Sequence, residues 1–324
     1  MTWLLRLLGV LILLTVLALS WLRMPDRPVE TLVGRWAPAP SDFVELQGQL
    51  VHLRDEGPRD DPLPIVLVHG TSASLHTWEG WVAALKPDKR VITLDLPGFG
   101  LTGPFTGRRA EPPGPDYGGD AMARLVIESL DAMGVKRFAI GGNSLGGEVA
   151  WRVATLVPDR VDRLILVDAS GPAFTPGSIP LGWRLARVPV LNKALEWWLP
   201  RPLVAEGLAN VYGDPTKITA AQVDRYFELT LREGNRRALV QRLQQLSLGA
   251  DAERIATLRL PTLILWGGRD RLIPPEVGEQ FERAIPGSRR IVFPTLGHVP
   301  HEEDPAATVA PVRAFLGLGG AATP

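Results

Sequence analysis

A serine stands between glycines at Gly142-Asn143-Ser144-Leu145-Gly146. A serine hydroxyl attacks a carbonyl carbon only when a neighbouring base takes its proton. The surroundings suit that task. An apolar run at 138–140 reads as a strand, and 145–157 reads as a helix with Val149, Ala150 and Val153 on it. A sharp strand-to-helix turn lifts the hydroxyl above the sheet edge and sets it at a helix N-terminus, where negative charge is favoured. Small residues two positions either side let the neighbouring elements approach.

The base must be a histidine placed after this serine, because such an elbow runs in the chain order Ser, acid, His. Five histidines are present, and only His298 and His301 follow Ser144. His298 comes just past a strand-like run at 289–293 and is the expected base. His301 starts an acidic turn and is expected to be solvated. Two aspartates end apolar runs between the serine and the histidines. Asp270 sits on a glycine-loosened loop and is the expected acid. Asp168, the alternative, is expected instead to cap the entry to the following segment. A buried aspartate orients the imidazole and stabilises imidazolium without taking the proton.

Tetrahedral chemistry also needs two backbone N–H donors aimed at the developing oxyanion. The amide of Leu145 follows from the elbow. The second donor is expected from the loop after Val68, with Thr71 first and Ser72 in reserve. His69 reads as a brace for that loop.

These residues need elements that bring them to one edge. Strand-like runs appear at 43–50, 51–55, 64–70, 90–95, 137–143, 161–168, 261–266 and 289–293. Helical stretches fall near 74–85, 119–133, 145–157, 275–284 and 304–316. Strand–helix alternation predicts parallel strands with helical crossovers. The alternation breaks between 168 and 261, where segments at about 178–187, 191–199, 202–211, 219–232 and 235–249 look helical and amphipathic. Trp183, Trp197, Trp198, Tyr212, Tyr226 and Phe227 fall there. They pack the segment's own core, line a substrate pocket, or do both; Trp183, Trp197, Trp198, Tyr226 and Phe227 are the expected pocket residues.

Composition narrows the classes. In 324 residues, 35 Lys+Arg balance 35 Asp+Glu, so a basic nucleic-acid binder is not expected. There is no cysteine, hence no disulfide and no thiolate nucleophile or ligand. The sequence carries neither a metal-ligand cluster nor a glycine-rich phosphate loop, so no metal and no cofactor is expected.

The N-terminus reads as a membrane segment. Residues 3–22 carry no charge apart from Arg6, and twenty helical residues span about 30 Å, the thickness of a bilayer core. The alternative is a signal peptide cleaved near Ala18 and Ser20, which would leave a secreted protein. Arginines lie on both sides, so orientation stays open, with the periplasmic or extracytoplasmic face favoured. The expected organisation is an anchor or signal segment over 1–27, a linker over 28–41, a core in two parts over 42–170 and 258–317, a helical cap over 171–257, and a flexible tail over 318–324.

Taken together, His69-Gly70, Asp95-Leu-Pro-Gly-Phe-Gly100, Gly142-Asn-Ser-Leu-Gly-Gly147, Trp266-Gly-Gly-Arg-Asp270 and Gly297-His298 resemble the α/β-hydrolase superfamily, of the lidded esterase and carbon–carbon hydrolase type. The resemblance spans about 43–316. It implies an α/β fold: an eight-stranded, mostly parallel sheet with a helical cap inserted after strand six. Dehalogenases and epoxide hydrolases of the superfamily carry Asp where Ser144 stands. Carbon–carbon hydrolases usually place Trp after the catalytic histidine, and here Val299 follows His298. No lipase-type run of glycines follows His69. The expectation is a serine hydrolase acting on carboxylic esters of small to medium hydrophobic acids, tethered through residues 3–22, with no nucleic-acid partner. The alternatives are a carbon–carbon hydrolase or a cofactor-free haloperoxidase on the same triad, or a membrane-tethered interaction module without catalysis. Oligomeric state is open.

Overall fold

The computed structural model describes residues 2–22 and 24–319. Met1, Arg23 and residues 320–324, parts of the expected anchor and tail, lie outside the described residues. Eight strands form one sheet: β1 Ser41–Leu46, β2 Gln49–Glu56, β3 Ile65–Val68, β4 Val91–Leu94, β5 Phe138–Asn143, β6 Val161–Val167, β7 Thr262–Gly267 and β8 Arg289–Phe293. Their order across the sheet is β1-β2-β4-β3-β5-β6-β7-β8. The pairs β1·β2 and β2·β4 are antiparallel, and every later pair is parallel. The central strands β3, β4 and β5 are buried throughout, which is why they read as unbroken apolar runs.

Thirteen α-helices are described: α1 Thr2–Leu22, α2 Glu30–Trp36, α3 Glu79–Leu85, α4 Gly119–Ala132, α5 Leu145–Leu156, α6 Leu181–Ala186, α7 Leu191–Trp197, α8 Arg201–Val211, α9 Ala220–Thr230, α10 Asn235–Gln245, α11 Pro275–Ala284, α12 Pro300–Glu303 and α13 Pro305–Phe315. One apolar core, containing Val149, Trp151, Trp266 and Phe281, fills one face of the sheet under α4, α5 and α11. A second, containing Trp78, Trp81 and Val312, fills the other under α3 and α13. Between β6 and β7 the chain leaves the sheet and builds α6 to α10, the helical insertion.

The first hairpin differs from its expected bounds. Gln47 and Gly48 both take positive φ, at 56° and 88°, as a two-residue hairpin turn requires. The strands therefore end and begin at Leu46 and Gln49, which face each other, rather than running over 43–50 and 51–55.

The expected linker is also different: α2 lies inside it. Leu32 on α2 is 1% exposed and packs with Leu101 and Leu229. Trp36 donates its indole N–H to Glu228 at 2.8 Å, and Arg35 pairs with the same carboxylate at 2.7 Å. Upstream, the Arg27 N–H donates to Leu231 O at 2.7 Å, and Asp26 accepts from Arg236 Nε at 3.0 Å. A Trp and a Leu at helical spacing gave this stretch a face to bury. The segment straps the N-terminal helix to α9 and α10.

The expected single-pass anchor is not shown by the structure. The described side chains of α1 run from residue 3 to residue 17, about 22 Å of rise. Among the described residues no helix is long and apolar enough to cross a membrane. The large apolar side chains of that stretch stand 52–65% exposed.

Candidate functional site

Four strand ends meet at one edge. The C-terminal ends of β5, β6, β7 and β8 are followed by Ser144, Asp168, Asp270 and His298 respectively, and ligands of open α/β sheets bind at that edge. Ser144 has φ 57° and ψ −118°, a left-handed backbone that costs a non-glycine residue on the order of 1–3 kcal/mol. The surroundings hold it there. Its N–H donates to Val167 O at 3.1 Å, and its carbonyl accepts from the N–H groups of Glu148 and Ser170, both at 3.0 Å. The flanking glycines are sterically required: a Cβ on Gly142 would lie 2.1 Å from Gly146 O, and one on Gly146 would lie 2.0 Å from Val68 O.

His298 is 4% exposed, and its Nδ1 lies 2.6 Å from Asp270 Oδ2. The other carboxylate oxygen of Asp270 accepts the N–H groups of Leu272 and Ile273 at 2.8 and 2.9 Å. The His298 backbone is pinned from both sides. Its N–H donates to Val211 O at 2.7 Å, and its carbonyl accepts from Asn143 Nδ2 at 2.9 Å. With Nδ1 engaged, Nε2 is the nitrogen left for the cavity that His298 shares with Ser144, Gly70 and Thr71. A second cavity is lined by Thr71, Ser144 and Leu145, so the proposed donors and the serine stand together there. His69 spans the base of the loop: Nδ1 lies 2.8 Å from Gly70 O, and Nε2 accepts the Leu96 N–H at 2.9 Å. Burial, opposed by the Asp95 charge, lowers the His69 pKa, so it stays neutral.

The insertion roofs this edge. In the first cavity, Leu199, Leu203, Leu208, Val211 and Val240 face Ser144 together with Trp183 and Tyr226. Trp183 lines both cavities and donates its indole N–H to Ser72 Oγ at 3.3 Å. The other expected pocket aromatics lie elsewhere. Trp197 and Trp198 are 59% and 41% exposed on the outer side of the insertion. Phe227 is absent from both linings, because its neighbour Tyr226 takes the inward face and adjacent helical positions do not share one. Apolar aliphatic residues supply most of the lining, and their helical spacing looked the same as ordinary core packing.

Two further positions differ from expectation. His301 is not solvated. It is fully buried in α12, its ring 4.1 Å from that of Trp78 and its Nε2 3.0 Å from Thr77 Oγ1. Burial pushes its pKa down to about 3. Asp168 does not cap the insertion's entry. It lies beside Asp270 and His298, with a carboxylate oxygen of each aspartate and a ring nitrogen of the histidine all within 4.8 Å of one another.

A buried polar cluster ties the insertion to the core behind the cavity. Glu302 accepts from Thr77 Oγ1 at 2.6 Å, from Tyr226 Oη at 2.8 Å, and from Arg225. Burial works to raise the Glu302 pKa, but the Arg225 charge and these hydrogen bonds hold it below the usual carboxylate range. Asn143 and Glu302 were not singled out from the sequence. Asn143 sat in view as the variable position of the elbow, and Glu302 as part of an acidic turn.

A family model described as the alpha/beta hydrolase fold matches residues 64–305. The chain is 30% identical over 266 residues to a 2-hydroxy-6-oxo-2,4-heptadienoate hydrolase of Pseudomonas putida, covering 78% of this chain and 88% of that one. It is similar to the crystal structure of a membrane phospholipase A described as a bacterial virulence factor. That match has a TM-score of 0.68 at 25% identity and covers 96% of this chain and 97% of the other. A meta-cleavage product hydrolase from Pseudomonas fluorescens shares the fold, with a TM-score of 0.71 at 24% identity over 85% of this chain and 97% of that one.

Proposed function

We propose, for a chain that belongs to the α/β-hydrolase fold family, a serine hydrolase that cleaves carboxylic esters with a hydrophobic acyl group. The observation that carries this reading is the 2.6 Å His298–Asp270 pair, opening onto the same cavity as a serine held in a left-handed turn. His298 Nε2 takes the Ser144 proton as Oγ attacks the ester carbonyl. Asp270 fixes the ring's orientation and stabilises the imidazolium that forms. The N–H groups of Leu145 and Thr71 receive the oxyanion. The tetrahedral intermediate collapses to an acyl-serine, and the imidazolium gives its proton to the leaving alcohol. Water then attacks the acyl-serine with the same base, returning the acid and the free serine.

Two features support the substrate class. The aliphatic lining of the first cavity suits an acyl or aryl group and offers few partners to a sugar. The membrane phospholipase A is similar over nearly the whole chain. A second reading is favoured by the Pseudomonas putida relative, whose name describes hydrolysis of a dienoate. In that reading the same three residues cleave a carbon–carbon bond. An ester library and a ring-cleavage dienoate, each tested with wild type and Ser144→Ala, separate the two. Ester turnover lost in Ser144→Ala supports the first reading; dienoate turnover without ester turnover replaces it by the second. A chain that neither labels with a fluorophosphonate nor turns over either class is a binding module.

We also propose that α1 holds the enzyme at a membrane, on the periplasmic or extracytoplasmic side. Its large apolar side chains between residues 3 and 17 stand 52–65% exposed among the described residues. A bilayer would remove them from water at roughly 25 cal/mol per Å². The full chain should then resist salt and alkaline extraction and leave the membrane only with detergent. Release by salt alone would defeat the anchor.

A further inference from the structure

Asp168 is fully buried at the end of β6, with φ 44°. Its backbone N–H donates to Leu265 O at 3.0 Å, and its Oδ1 accepts the Gly267 N–H at 2.9 Å. Its Oδ2 is buried and meets no donor among the described groups. The Asp168 carboxyl lies beside another acceptor, the carboxyl of Asp270, with His298 in the same cluster. Glu303 is the second acidic group acting on Asp168, and it is already occupied by the N–H groups of Gly213, Asp214 and Gly297 at 2.8–2.9 Å.

Two buried carboxyl groups this close do not both ionise, and one proton between them settles on the group with fewer donors. Asp270 has three donors: two backbone N–H groups and His298 Nδ1. Asp168 has one. We propose that Asp168 is a neutral positioning residue, whose carboxyl O–H donates to Asp270 and holds that carboxylate against His298. The shift in Asp168 agrees in direction: burial raises its pKa well above the usual carboxylate range, and the neighbouring Asp270 adds to it. A proton here satisfies the otherwise orphaned oxygen and spares His298 a second negative charge. It also explains how two aspartates suited to the acid's role coexist at one histidine.

The inference rests on Asp270 and His298 being the acid and base of the proposed hydrolase. The test compares Asp168→Asn, whose amide keeps a donor towards Asp270 and an acceptor for Gly267, with Asp168→Ala. The full chain is used with an ester that wild type turns over. Asp168→Ala should lose about tenfold or more in kcat with KM near unchanged, on the scale of misplacing a catalytic group. Asp168→Asn should recover most of that loss, and its acid limb in kcat/KM should stay within about 0.3 pH unit of wild type, since no charge is removed. An ionised Asp168 requires the opposite. Both variants would then delete a charge beside His298 and move the acid limb down by about one unit or more. An inactive Asp168→Asn beside an active Asp270→Asn would also overturn the proposal, by making Asp168 the acid. If the alanine variant fails to fold, infrared spectroscopy carries the test. The wild-type minus Asp168→Asn difference spectrum at pH 7 should contain a protonated-carboxyl C=O stretch that shifts in D₂O, and carboxylate bands alone would refute it. That arm needs no substrate, so absent ester turnover would count against the hydrolase reading and not against this one.

Discussion

The side-chain amide of Asn143 donates to the backbone carbonyl of His298 at 2.9 Å, and to Val167 O at 3.1 Å. The residue before the serine thus holds the loop of the histidine. The two belong to chain segments 155 residues apart. Asn143→Ala would leave the His298 carbonyl without its donor in the interior, at about 1–3 kcal/mol for a buried unsatisfied group, while Val167 O keeps the Ser144 N–H. Its expected effects are a lower Tm and a kcat loss approaching 10²-fold, the scale of an ångström's misplacement. Full activity in a correctly folded Asn143→Ala enzyme would show that the Val211 contact alone holds the loop.

Substitutions in the proposed triad should act as a unit. Ser144→Ala and His298→Ala are each expected to abolish turnover, and the double variant should be no worse than either single one. Asp270→Asn should cost on the order of 10⁴-fold, because the wrong imidazole tautomer is then favoured. His301→Gln should keep its chemistry at temperatures where it is folded. The reverse pattern between the two histidines, read by fluorophosphonate labelling and ester turnover, would remove His298 from its role.

Stability should fall in acid. Burial is the first cause lowering His301 and His76 to about 3, against 6.5 for a free histidine. Below about 6.5 the unfolded chain binds protons at these sites and the folded chain does not, until the pH approaches about 3. Their contribution is therefore complete above that upper value and is lost as pH falls through the window. Each such group adds roughly 1.4 kcal/mol per pH unit while its two states differ by one proton. Urea unfolding between pH 7 and pH 4 should show the slope, and His301→Gln should flatten it. An unchanged slope in that variant would mean that His301 is reached by water.

The insertion should depend on the Arg225–Glu302 pair. Both side chains are almost fully buried, at 10% and 6% exposure. Removing one partner of a buried pair leaves the other uncompensated and costs about 3–5 kcal/mol. Arg225→Ala is expected to lower overall stability and expose residues 200–245 to limited proteolysis. Glu302→Gln, which keeps an acceptor, should do less. Equal protease resistance in wild type and Arg225→Ala would mean that the apolar contacts of the insertion are sufficient.

Chain-length preference should follow Trp183. It lines both cavities at Ser144, so Trp183→Ala should merge them and move the optimum towards longer acyl chains, with labelling of Ser144 intact. Trp198→Ala, on the outer surface, should leave the profile of soluble esters unchanged. A shift from the outer position and none from Trp183 would mean that substrate enters by another route.

Local signals made the central strands and the turn at Ser144 legible. Apolar runs closed by glycine mark buried parallel strands. A glycine either side of a serine marks a backbone that only close-packed neighbours can hold. Those features depend on a few adjacent residues, and so did the sites of Asp270 and His298 at strand ends. The structure brings them to 2.6 Å. The break in strand–helix alternation after β6 likewise marked the insertion. What only the tertiary structure decided depends on elements distant in the chain. Burial of His301 follows from Trp78 and Thr77, more than two hundred residues earlier, and an acidic local sequence concealed it. The nearness of Asp168 to Asp270 follows from the pairing of β6 with β7 across the whole insertion. The strap around α2 gained its structure from Glu228, and the choice of Tyr226 over Phe227 as the inward residue came from the rotation of α9 against the core. Sequence periodicity says that a face is apolar. Which neighbour covers it is decided by the packing of the whole chain.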